Sequence, residues 1–321
     1  MLLDISNAHV AQDYNPRKVP ETELLKKSIA TTHINLSKAY QQLEKIMNEN
    51  VIINYSKLKT SLFFLPIFLL TAIGLFLYSH DSLQAYKYVQ IQKDSFFFIN
   101  YHLGQFPNII YNITQLGDAS VVLSFLSIFI LYAPKIWESL ISASLVSLLA
   151  SSLLKNIFLV PRPAVVFDNN SFVIIGKTAV GHASLPSGHS ITVFTTLTIL
   201  LFGFMPKKLS NKILWIILTI TTGLIIAFTR VGVGAHYPLD VIIGSIIGYI
   251  SGLAGIFISR KYKIWAWVSN IKYYPIFILL ILACCVSLIS QIIDKNLIIF
   301  YLVLIGLIVP LYKIFYAFIK K

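Results

Sequence analysis

The sequence predicts an all-α, polytopic membrane protein. Three observations carry that reading. The 321 residues are 56% hydrophobic and only 12% charged, whereas a soluble domain carries about 25% charged residues. The apolar residues fall in long charge-free blocks, among them Leu65 to Tyr78, Val121 to Tyr132, Ile213 to Phe228 and Leu297 to Leu311. None of these blocks alternates apolar with polar residues as barrel strands do. In lipid only a helix or a closed barrel satisfies its own backbone, and a helix needs about 20 apolar residues to cross.

The chain opens with a polar segment, residues 1–60, expected to lie on the cytoplasmic side and to hold no cleaved signal, because it lacks a short apolar core. Within it, residues 21–50 have helical periodicity, with Ile29, Leu36 and Leu43 seven apart and Thr32, Ala39 and Ile46 between them. That spacing allows self-association through a short coiled coil. Thr and Ala are weak seam residues, so an amphipathic helix lying on a surface fits equally well.

Eight candidate spans follow, over 61–79, 109–133, 136–154, 190–206, 213–229, 239–259, 273–293 and 297–318. The connection 80–108 reads as a polar loop whose Phe96, Phe97, Phe98 and Tyr101 suit a membrane interface. Gly244, Gly248 and Gly252 recur along the sixth span and predict close packing inside the bundle more readily than a dimer face. Cys284 and Cys285 are adjacent in an apolar stretch, without metal-ligand spacing.

The formal net charge is +13. A basic chain can signal a nucleic-acid partner, but here lysines and arginines collect in short loops between spans, so no nucleic acid is expected. Lys57 and Lys59, Lys135, Lys207 to Lys212, Arg260 to Lys272, and the chain end all fall on one side of an eight-span topology. The positive-inside rule makes that side cytoplasmic. Lys155, Arg162, Lys177 and Arg230 break the bias at the other face. Positive charge placed against the rule needs a local reason, and a bound anion supplies one.

Three clusters converge on that face. Lys155-x6-Arg162-Pro163 leaves the third span, Pro186-Ser187-Gly188-His189 enters the fourth, and Arg230-x5-His236-x3-Asp240 bridges the fifth and sixth. Arg offers a planar fork for phosphate oxygens and Lys a point charge. Ser187 adds a hydroxyl, and Gly188 a backbone N–H at a helix start, where anions bind well. Together they would stabilise the charge of a phosphoryl group in transfer. Asp240, one helical turn from His236, can orient its imidazole and leave the opposite nitrogen free to attack phosphorus. His189 is suited to protonating the departing oxygen.

These three motifs, in this order and spacing, resemble the signature of the type-2 phosphatidic acid phosphatase superfamily. The resemblance covers residues 61–259, a six-span lipid phosphatase core, and leaves two further spans in 260–321. It implies that His236 is the nucleophile, Asp240 its orienting partner and His189 the general acid. It further implies that Lys155, Arg162, Ser187, Gly188 and Arg230 hold phosphate, with no metal and no cofactor. The substrate would be a membrane lipid phosphate, such as an isoprenyl diphosphate, lipid A phosphate, phosphatidylglycerol phosphate or phosphatidate. The implied location is a bacterial inner membrane, with the site facing outward. The third motif opens with Thr229 where the family usually has Ser, and His182 precedes the second, most simply as a solvated loop residue. Two rivals are a phosphotransferase using the same pocket and a non-catalytic anion transporter, which would place charged residues inside several spans. Spans four to eight hold almost none.

Overall fold

A computed structural model describes residues 45–319. The described residues are helical and contain no strand. A helix over 45–56, α1, leads into α2 (Phe64–Ser79), α3 (Ala85–Gln90), α4 (Lys93–Gly104), α5 (Pro107–Thr114), α6 (Ala119–Leu126) and α7 (Phe129–Tyr132). Then come α8 (Pro134–Phe158), α9 (Pro163–Val166), α10 (Gly188–Gly203), α11 (Leu209–Gly232), α12 (Pro238–Lys261), α13 (Tyr274–Lys295) and α14 (Ile298–Ile319). Six segments are long and apolar enough to cross a membrane: Thr60–Ser79, Pro134–Val166, Leu209–Gly232, Pro238–Lys261, Ile271–Lys295 and Ile298–Ile319. The molecule is a polytopic helical protein.

Two of the eight expected spans take another form. The expected second span, 109–133, is broken: Pro107–Gly117 and Ala119–Leu126 meet at a bend of 67°. The cause is local. Gly117 ends the first piece, and Asp118 caps α6 by accepting from the Ser120 N–H at 2.8 Å, a helix-start signal set in a polar stretch, Thr114 to Ser120, that interrupts the apolar run. The expected fourth span is α10, only 16 residues long.

The connection 80–108 is also not a loop, since it forms α3 and α4. Phe96 is fully buried, its ring packed on Phe167, Phe172 and Tyr237, while Phe98 and Tyr101 are exposed.

Helix α12 is the central element, packed most extensively on α10 and α8. Its glycine stripe makes this possible. A Cβ at Gly248 would stand 2.5 Å from the Ile191 carbonyl oxygen, and one at Gly244 would stand 2.8 Å from that of Ser187. Close packing against α10 is therefore the use of the stripe. At the far end of these helices, α1 docks through Tyr55, whose Oη donates to the Ile199 carbonyl at 3.0 Å, and Asn54, which donates to that of Gly203 at 2.9 Å. Val51 and Tyr55 are wholly buried there. The proposed self-association segment, 21–50, lies outside the described residues except for its last turns.

Candidate active site

The three clusters meet at one end of the bundle, around the starts of α10 and α12. Lys155 occupies the last turn of α8, which ends at Leu159 with φ of 45°. The chain then turns so that Arg162 caps α9. Its Nη1 donates to the Ala235 carbonyl at 3.2 Å and lies 3.4 Å from His236 Nε2. Ser187 caps α10 and is fully buried. Its Oγ accepts from Ser190 Oγ at 2.9 Å, which leaves its own proton free for a ligand. Gly188 follows at the first position of the helix, with Lys155 Nζ just 3.6 Å from where a Cβ would be. An ammonium and a helix N-terminus thus face the same space, and both favour an anion.

Arg230 comes from the last turn of α11. Its Nη1 donates to Thr114 Oγ1 at 3.0 Å, and its carbonyl accepts from the N–H groups of Ala235 and His236 at 3.0 and 3.2 Å. Among the described residues, its buried Nε has no hydrogen-bond partner. A buried guanidinium N–H left without an acceptor is costly, and an anion would relieve that cost. His189 sits in the first turn of α10 against Gly117, where a Cβ would come within 3.0 Å of its own. It is within electrostatic reach of Arg230, His236 and Arg162.

His236 is 2% exposed. Its Nδ1 lies 3.6 Å from Asp240 Oδ2, with Ser184 Oγ 3.5 Å away. With Nδ1 facing the carboxylate side and Nε2 facing a guanidinium, the geometry favours the Nδ1–H tautomer. Nε2 then keeps its lone pair directed at the pocket. Burial holds the His236 pKa down at about 4, and the Asp240 carboxylate opposes that shift. The imidazole is therefore neutral at physiological pH.

Asp240 itself is wholly buried. Tyr88 Oη donates to its Oδ1 at 2.8 Å, while Ser184 Oγ and the Tyr237 N–H donate to Oδ2 at 2.6 and 3.0 Å. Burial, followed by the Asp240 charge, raises the Tyr88 pKa well above its ordinary value, so the phenol stays a donor.

All eight residues expected from the sequence lie at this end of the bundle, and Arg162, Ser184, His236 and Asp240 form one connected set. His182 is exposed, and the Thr229 hydroxyl bonds its own helix at the Ile226 carbonyl. Sequence reasoning missed Ser184, Thr114 and Tyr88. Ser184 stands two residues before the Pro186 motif, close enough to have been included. Thr114 and Tyr88 carry no local signal, because distant helices bring them in. Lys295, at the end of α13, was also missed; its Nζ donates to Gln115 and Gln291, both at 3.1 Å, beside the Thr114 to Gly117 segment that braces Arg230 and His189. Among the described residues no cluster of three or more His, Cys, Asp or Glu side chains has a metal-binding arrangement.

No curated protein matches the chain. Among solved structures, the crystal structure of Aquifex aeolicus LpxE is similar, with 27% sequence identity and a TM-score of 0.43, covering 54% of this chain and 96% of that one. Residues 136–265 match the PAP2 superfamily, and they contain every one of the eight motif residues. Through that segment, the chain is similar to the PAP2 superfamily.

Proposed function

We propose that the chain is an integral-membrane lipid phosphatase that hydrolyses a phosphomonoester or diphosphate of a membrane lipid through a phosphohistidine at His236. The observation that carries this is the orientation of His236: Nε2 points at Arg162, among the cationic groups, and Nδ1 points at the Asp240 side. The match of residues 136–265 to the PAP2 superfamily supports the reaction class.

In the first step the Nε2 lone pair attacks phosphorus, and the bond from phosphorus to the lipid oxygen breaks. His189 gives that oxygen a proton. The dianion held by Lys155, Arg162 and Arg230 favours the imidazolium form that this step needs. The three cations, the Ser187 hydroxyl and the Gly188 N–H stabilise charge on the equatorial oxygens. Asp240 stabilises the positive charge that develops on the His236 ring. In the second step water attacks phosphorus, His189 takes the water proton, and the P–N bond breaks to release inorganic phosphate. No step calls for a metal. The pocket lies at the face opposite the basic loops, which by the positive-inside rule is the outer face of a cytoplasmic membrane.

The test is phosphate release by purified protein in detergent from a panel of lipid monophosphates and diphosphates, with EDTA present. Release that persists with chelator and falls by at least about 10³-fold in His236→Ala is the expected result. Release abolished by EDTA alone would remove the metal-free chemistry. Transfer of phosphate to a second lipid without release would make the protein a phosphotransferase.

A further inference from the structure

A second feature runs from beside the candidate site to the opposite end of the bundle. A cavity of about 920 Å³ opens between α2, α10, α11 and α12. Its walls are apolar, including Leu69, Phe194, Leu197 and Leu224, but one end is lined by Lys57, Lys59, Lys207 and Lys212, with no acidic side chain among its lining residues. That end is also built. Asn54 ties α1 to the carbonyls of Gly203 and Met205 at 2.9 and 3.3 Å. Arg260 clamps the turn that carries Lys57 and Lys59 by donating to the carbonyls of Ser56 and Leu58 at 3.1 and 3.0 Å.

The dimensions fit one leaflet. From Lys212 to Leu224 along α11 is about 18 Å at helical rise, against roughly 15 Å for half the hydrocarbon core. The inner end is lined by Ile73, Leu224 and Ile242; Leu224 lies about 9 Å short of Arg230 along α11, and Ile242 follows Asp240 by about 3 Å along α12. A lipid whose phosphate sits at Arg230 therefore has its headgroup at the wrong end to use the four lysines. The occupant must carry its negative charge at the end distal to the catalytic pocket and its chains toward the membrane midplane.

We propose that this groove is a binding site for an intact anionic phospholipid of the leaflet opposite the active site, with its headgroup on Lys57, Lys59, Lys207 and Lys212. The charge complementarity and one-leaflet depth select a phospholipid over a soluble anion, which would leave the apolar walls unfilled. The site binds a structural or regulatory lipid and not the substrate.

The test is native mass spectrometry of the full chain taken from vesicles of equimolar phosphatidylglycerol and phosphatidylcholine. Enrichment of bound phosphatidylglycerol is expected. It should fall at least about tenfold in the K57Q/K59Q/K207Q/K212Q variant, given the attraction of surface lysines to anionic lipid. K263Q/K272Q, which removes charge from the same end of the bundle but not from the groove, should keep it. Leu197→Trp, which fills the groove without touching charge, should lower retention of the lipid and provides a second handle if the quadruple variant fails to fold. Equal retention of both lipids would overturn the proposal, as would equal loss in the two lysine variants. A cross-link from a cysteine at position 197 to residues 1–43, with no lipid bound, would assign the groove to the chain's own N-terminal segment and also overturn it.

Discussion

His236 and Asp240 stand 3.6 Å apart, and Ser184 lies against both, its hydroxyl donating to the carboxylate at 2.6 Å and standing 3.5 Å from His236 Nδ1. Tyr88 holds the other carboxylate oxygen at 2.8 Å. A hydrogen bond to a charged acceptor contributes about 1.5–3 kcal/mol. Tyr88→Phe, which keeps the ring and deletes only the donor, is therefore expected to lower kcat by roughly 10- to 100-fold with KM little changed. An unchanged kcat would show that Asp240 needs no such anchor. The titration of His236 is a second residue-scale expectation. Its folded pKa of about 4 lies below the ordinary value of 6.5, chiefly through burial. The folded state thus binds fewer protons than the unfolded chain between those values, and this contribution to stability is present above pH 6.5 and lost as pH falls toward 4. Nitrogen chemical shifts of labelled histidine, assigned by comparison with His236→Ala, should show a neutral ring at pH 6 with a midpoint near 4. A midpoint at 6.5 would contradict a buried, unprotonated His236 as the proposed nucleophile.

Among the elements, α12 shows what the sequence made readable and what it did not. Pro238 in the first turn, Asp240 two residues later and the terminal Arg260-Lys261 mark its bounds, and the small-residue stripe marks a packing face. The partner helix was not readable, because a glycine spacing fits any neighbour; only the fold assigns it to α10. Gly248→Ala is expected to destabilise the protein by about 1–3 kcal/mol, since its Cβ would stand 2.5 Å from the Ile191 carbonyl oxygen. Gly74 has nothing within 4 Å of its Cβ site, so Gly74→Ala should leave the thermal midpoint in detergent unchanged or slightly raised. Equal effects at the two positions would contradict the α10–α12 contact. The break between α5 and α6 was harder to foresee. Hydropathy dips over Asn112 to Ser120, but a window wide enough to find a span averages over that dip and over the Gly117-Asp118 cap. Tyr88 was hidden for a related reason: its helix sits in a polar connection, and its value comes from a partner 152 residues away.

At the scale of the whole molecule, charge and chemistry are separated by the length of the bundle. The proposed catalytic residues cluster where α10 and α12 begin, and the basic loops lie where these helices end. In a Cys284→Ala/Cys285→Ala background, single cysteines at positions 182 and 263 should react with an impermeant thiol reagent from opposite sides of sealed vesicles. Labelling from the same side would overturn the topology. The clustering of motif residues at one end could be read from the sequence because each motif falls at a span boundary, and boundaries alternate between faces. The contribution of α13 and α14 could not be read, since Lys295 reaches Gln115 only through the folding of the last two helices against the broken span.

The most direct measurement is the site of covalent phosphate. Protein incubated briefly with a lipid labelled at its phosphorus, quenched in alkali and digested, should yield an acid-labile, alkali-stable label on the peptide that contains His236, and none in His236→Ala. A label on any other residue, or full turnover by His236→Ala, would contradict the assignment of His236 as the nucleophile.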